Sequence, residues 1–287
     1  MEVGLIGTGL MGLPMAQRLL NAGIAPIVYN RTTEKLASLK AAGIATAPSV
    51  SELIRACQCI ILMVTNAAAI REVLLSPEAQ RELAGKTIIQ MGTIAPMESQ
   101  AIATEVNAAG AEYLEAPVLG SISEAEAGKL IVMVGSSPEQ FEAWRGLLQH
   151  FGADPMWVGS VGAAAALKLA LNQLIGSLTS AFASSLGFVI RQGIEVELFM
   201  KILRGSALYA PTFDKKLQRM VDRNFDHPNF PTKHLLKDMR LFLNAAEQTG
   251  LDTDGVEGVA TILERTISLS LADADYSSLY AAVNPEA

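Results

Sequence analysis

From residue 3 to about residue 160, short and nearly continuous apolar runs alternate with longer segments of helical period. The runs are VGLIG (3 to 7), PIVYN (26 to 30), CIILMV (59 to 64), TIIQM (87 to 91), EYLEAPV (112 to 118) and LIVMVG (130 to 135). A strand covered on both faces has no polar side to present, so it reads as one apolar run. Such runs separated by helices predict an α/β fold whose N-terminal part is a Rossmann-type, doubly wound parallel sheet.

After Gly162 the pattern changes. Residues 163 to 190, AAAALKLALNQLIGSLTSAFASSLGFVI, contain no proline and predict a single helix. At ~1.5 Å per residue it would reach roughly 40 Å. That length also suits a membrane span, but Lys168, Asn172, Gln173 and scattered Ser and Thr interrupt it and no second span follows. A helix buried in packed protein is therefore expected, and no membrane partner. Further helical patterns lie at about 195 to 205, 211 to 222, 234 to 249 and 255 to 271, broken by the stretch from Asp226 to Pro231. The expected division is a dinucleotide-binding domain over 1–161 and an all-α substrate and oligomerisation domain over 162–287 that begins with the long helix.

Composition narrows the partners. The 287 residues carry 22 Lys+Arg against 29 Asp+Glu, a net charge of −7, and 50% are apolar. With no Lys/Arg-rich cluster there is no electrostatic footprint for nucleic acid, and a small molecule becomes the expected ligand. Cys57 and Cys59 cannot form a disulfide framework, and His150, His227 and His234 show no metal-ligand spacing, so no metal is expected. The opening MEVGLIGTGLMG has neither a basic leader nor a cleavage site and suits a cytoplasmic protein.

Within the first run, Gly7, Gly9 and Gly12 form G-x-G-x-x-G where a strand ends and a helix opens. Gly7 allows the tight turn, Gly9 the approach of backbone to a pyrophosphate, and Gly12 close packing of helix on strand. The end of the second run, where a carboxylate usually meets a ribose 2′-hydroxyl, holds Asn30, Arg31 and Thr32 instead. A planar guanidinium suits a 2′-phosphate, so NADP(H) is the expected cofactor. Lys168 and Asn172 lie four residues apart and share a helix face among alanines and leucines. Desolvation makes an ammonium readier to give up its proton, so Lys168 is a candidate general acid.

Four motifs together resemble the β-hydroxyacid dehydrogenase family, which includes 3-hydroxyisobutyrate dehydrogenases and, nearest in pattern, glyoxylate/succinic semialdehyde reductases. They are GLIGTGLMGLPMA (4 to 16), EAPVLGSISEAEAGKL (115 to 130), GAAAALKLALNQ (162 to 173) and FPTKHLLKDMRL (230 to 241), and they span essentially the whole chain. The resemblance implies NADPH-dependent reduction of a short-chain aldehyde acid, or the reverse oxidation of a hydroxy acid, with Lys168 as acid/base and Asn172 positioning it and the substrate. It implies Gly120 and Ser121 beside the substrate carboxylate, with Phe230 and Asp238 bordering the pocket. Around the cofactor it implies Gly7, Gly9, Leu10, Met11 and Gly12, then Met63, Val64 and Thr65, Thr93 and Lys237. A homodimer or homotetramer is implied as well.

Three positions depart from that pattern. Leu119 stands where the family has a serine, Gly92 where it has another, and Ala164 where it has a glycine. These suggest an altered substrate. They also leave open a second class, a cofactor-binding or redox-sensing protein with weak turnover or none. Leu171, where a sugar-phosphate decarboxylating relative has histidine, argues against that chemistry, and Lys168 argues against an imine reductase.

Overall fold

The computed structural model describes residues 2 to 286, which form two compact units dividing between Lys168 and Leu169. In the first unit the strands are β1 (Val3–Ile6), β2 (Ile27–Tyr29), β3 (Ala45–Thr46), β4 (Cys59–Leu62), β5 (Thr87–Gln90), β6 (Glu112–Glu115), β7 (Val118–Leu119), β8 (Ile131–Gly135) and β9 (Met156–Gly159). They make one sheet in the order β3-β2-β1-β4-β5-β6-β8-β7, with β9 also paired to β8. Pairing is parallel from β3 across to β6.

The apolar runs are strands because both of their faces are covered. Val3 and Leu5, Cys59 and Ile61, and Ile89 pack into one core, while Ile6, Ile60 and Leu62, and Ile88 pack into the other. Successive side chains point to opposite faces of a sheet, so these strands supply both cores at once. β1, β4 and β5 are buried at every position.

Two features depart from the expected all-parallel sheet. The run at 112 to 118 breaks near Pro117 into β6 and β7, and β8 runs antiparallel to both. A parallel return needs a crossover with a helix long enough to cover the strand. Only the short helix Ile122–Ala127 lies between β7 and β8, so the chain doubles straight back. β3 and β9 escape the apolar pattern because one is two residues long and the other exposes Met156 and Trp157.

The helix Ala163–Arg191 begins in the first unit and continues into the second. Among the described residues it is the one helix long and apolar enough to cross a membrane, and 44% of its most apolar window is buried in the protein. The second unit adds helices Val196–Arg204, Pro211–Val221, Thr232–Glu247, Asp254–Ser268 and Leu279–Val283. Their core contains Phe182 stacked on Phe213, with ring centroids 4.8 Å apart, together with Leu235, Met239 and Leu263. Gly176 lets helix Thr232–Glu247 approach closely, since a Cβ there would lie 2.8 Å from the Met239 sulfur.

Candidate active site

The glycine loop leaves β1 beside β4, where the strand order reverses, and in such sheets ligands bind beyond the carboxyl ends of the strands. Each glycine has a distinct cause. Gly7 has φ +98° and a Cβ there would lie 2.3 Å from the Met63 carbonyl oxygen, while one on Gly12 would lie 1.9 Å from the Gly7 carbonyl oxygen. At Gly9 nothing stands within 4 Å of an added Cβ, so the backbone is open on that side. Helix Gly12–Asn21, entered through Leu10 and Met11, has no side-chain cap and no acidic residue in its first turn. An approachable loop and an uncapped helix start fit a dinucleotide pyrophosphate.

The second-strand end does two jobs. Asn30 ties the loop together, accepting the Thr8 N–H at 3.1 Å and donating to the Thr32 carbonyl at 2.8 Å. Its amide is engaged internally. Arg31 is exposed and borders a surface cleft with Tyr29, Ser49, Ser51 and Glu72. Glu72, from helix Ala67–Leu74, comes within 3.4 Å of the Arg31 guanidinium. The sequence places no carboxylate at the end of the second run itself; helix packing brings Glu72 in across 41 residues.

Met63, Val64 and Thr65 follow β4, and Thr93 follows β5. The two loops touch: a Cβ on Gly92 would lie 2.6 Å from the Val64 carbonyl oxygen. Glycine at 92 is therefore demanded by the backbone of this chain.

In the segment after β7, Gly120 has φ +141° and a Cβ there would lie 2.7 Å from Leu130. Ser121 opens helix Ile122–Ala127, and its N–H donates to the Glu124 carboxylate at 2.8 Å. The Ser121 hydroxyl donates to the same oxygen, and Ser123 adds a third bond at 3.2 Å. These donors hold the Glu124 carboxyl down at about 2. A carboxylate thus already sits at the position expected to receive the substrate's, placed there by the S-x-x-E capping box of Ser121 and Glu124.

Lys168 is buried in the long helix, 9% exposed. Asn172, one turn on, is 2% exposed, and its amide donates to Asp238 at 2.6 Å. The other Asp238 oxygen pairs with Lys237 at 2.8 Å. The amide nitrogen must face the carboxylate, so the Asn172 oxygen points away, buried and with no hydrogen-bond partner among the described residues. Asp238 is itself 2% exposed. Phe230 packs edge-on against His234 and Tyr276. Burial, followed by the charges of Lys237 and Lys233, lowers the His234 pKa. Among the described residues no group of three or more His, Cys, Asp or Glu is placed to hold a metal ion.

Comparison with known proteins gives the family and the fold. Residues 2–159 match the family model described as the NAD binding domain of 6-phosphogluconate dehydrogenase, and residues 162–283 the one described as NAD-binding of NADP-dependent 3-hydroxyisobutyrate dehydrogenase. Glyoxylate/succinic semialdehyde reductase 1 of Arabidopsis thaliana is 31% identical over 285 residues, covering 99% of this chain and 98% of the relative. The 2-hydroxy-3-oxopropionate reductase of Escherichia coli K12 is 31% identical over 288 residues, covering 99% and 97%. A crystal structure of a 3-hydroxyisobutyrate dehydrogenase from Salmonella typhimurium shares the fold, with a TM-score of 0.87 at 23% identity over 97% of this chain and 98% of that one. The chain belongs to the 3-hydroxyisobutyrate dehydrogenase family of NAD(P)-binding oxidoreductases.

Proposed function

We propose that the protein is an NADPH-dependent reductase of short-chain aldehyde acids of the glyoxylate or succinic semialdehyde type, or in reverse a β-hydroxy-acid dehydrogenase. The observation that carries this reading is Lys168, buried on the same helix face as an Asn172 whose amide is fixed by Asp238. Gly7, Gly9, Leu10, Met11 and Gly12 would hold the pyrophosphate, and Arg31 with Thr32 the 2′-phosphate, while Asn30 shapes the loop. Met63, Val64, Thr65 and Thr93 would line the remainder. Bound there, the reduced nicotinamide supplies the hydride for the aldehyde carbon. Lys168 holds a proton on Nζ and gives it to the carbonyl oxygen as that oxygen gains negative charge. Asn172 keeps Lys168 in register, and Gly120 and Ser121 border the substrate. The exposed apolar residues Phe188, Leu198, Ile202 and Leu208 of the second unit favour a homodimer or homotetramer.

A second reading, cofactor binding without turnover, is favoured by Leu119 and by the Glu124 carboxylate already held on Ser121. Initial rates of NADPH and NADH oxidation with glyoxylate, succinic, methylmalonate and tartronate semialdehydes separate the two. Turnover on at least one, faster with NADPH, is expected. A fluorescence shift of NADPH with no consumption would support the second reading.

A further inference from the structure

Glu115, at the end of β6, is fully buried and has no part in the chemistry proposed above. One of its oxygens accepts three backbone N–H groups, from Gly162 at 2.8 Å, Ala164 at 2.9 Å and Ala165 at 3.1 Å. These belong to the opening turn of the helix that carries Lys168, whose first N–H groups have no partner inside the helix. The other oxygen accepts from the Ser99 hydroxyl, which also bonds to Tyr113 at 2.8 Å. The surroundings are shaped to admit this side chain. Gly135 lies opposite Glu115 in β8, and a Cβ there would come within 2.5 Å of the accepting oxygen. Three residues further along the chain from Glu115 begins the strand leading to Gly120 and Ser121.

We infer that Glu115 is the positioning residue for Lys168: its accepting oxygen pins the first turn of the catalytic helix to the strand that leads into the substrate segment. The inference rests on the reading of Lys168 as the acid. A single hard acceptor fixes the helix start in translation and rotation, and Lys168 follows within one turn. Small misplacements of a catalytic group are costly, because proton transfer needs hydrogen-bond contact with the reacting oxygen.

Glutamine keeps the accepting oxygen and can turn its amide nitrogen toward Ser99, whereas alanine removes the acceptor. In the full chain with NADPH and the best aldehyde, Glu115→Ala should lower kcat by about 10- to 100-fold with little change in cofactor KM, and Glu115→Gln should restore most of it. In the Lys168→Ala background the Glu115→Ala loss should largely vanish, since both act through one group. Amide hydrogen exchange at Gly162, Ala164 and Ala165 should accelerate in Glu115→Ala and stay slow in Glu115→Gln. If Glu115→Ala does not fold, Gly135→Ala displaces the same oxygen and is held to the same outcomes. An unchanged kcat in the alanine variant, a glutamine variant as impaired as alanine, or full additivity with Lys168→Ala would overturn the inference. Equal turnover by wild type and Lys168→Ala would instead sink the assignment of Lys168, while hydrogen exchange would still decide whether Glu115 pins the turn.

Discussion

The Asn172 amide reaches the Asp238 carboxylate at 2.6 Å, with both side chains all but withdrawn from water. The bond spans 66 residues and joins the long helix to helix Thr232–Glu247. It turns a freely rotating amide into an oriented one. Asp238→Ala should therefore leave a buried amide unsatisfied, lowering stability by about 1–3 kcal/mol in urea unfolding. It should also cut kcat more than cofactor affinity, and an unchanged kcat would show that Asn172 needs no such support.

The buried pair of Lys216 and Asp275, at 2.8 Å, ties helix Pro211–Val221 to the turn at Tyr276, with the ammonium 4.1 Å from that ring's centroid. Burial alone would raise the Asp275 pKa, but Lys216 and the Ser277 donors outweigh it and hold the carboxyl below its usual range. A depressed carboxyl pKa stabilises the fold fully above the unfolded value of about 3.9, and that part is lost as pH falls through the folded value. Asp275→Ala strands an ammonium and should cost about 3–5 kcal/mol at pH 7. The difference between wild type and variant should shrink on acidification below pH ~4; a constant difference would contradict the ion-pair account.

Arg31 is drawn to Glu72 by an exposed pair, which contributes little by itself. A 2′-phosphate offers the guanidinium a stronger partner. Arg31→Ala should raise the NADPH KM by about 10-fold, the loss expected for a charge-assisted contact, and leave NADH nearly unchanged. Glu72→Gln should favour NADPH further. Equal losses for both cofactors would place Arg31 away from the 2′ position.

Much of this was legible in the chain. Strands buried on both faces announced themselves as apolar runs, and the glycine spacing located the loop because each glycine answers a different steric demand. Lys168 and Asn172 could be paired because four residues is one helical turn. What could not be read were contacts made between distant segments. Glu115 looks like part of a strand until the turn at 162 to 165 is seen to close on it. Glu72 meets Arg31, and Asp238 meets Asn172, only through helix packing. The antiparallel β8 was hidden because an apolar run carries no sign of its direction.

Glu124 bears on substrate choice. Its carboxylate occupies the Ser121 N–H and hydroxyl, and Leu119 beside them offers no hydrogen bond. Glu124→Ala should lower KM for aldehyde acids by about 10-fold, the scale of relieving a like charge and freeing two donors. Leu119→Ser should act in the same direction. Aldehydes without a carboxylate should respond little, and an equal response from both classes would contradict this role.

The most direct test of the account is single-turnover NADPH oxidation by Lys168→Ala with the best aldehyde, alongside the NADPH Kd. A general acid predicts a rate lower by about 10²-fold or more with Kd unchanged. Near-normal turnover in the variant would contradict the assignment of Lys168.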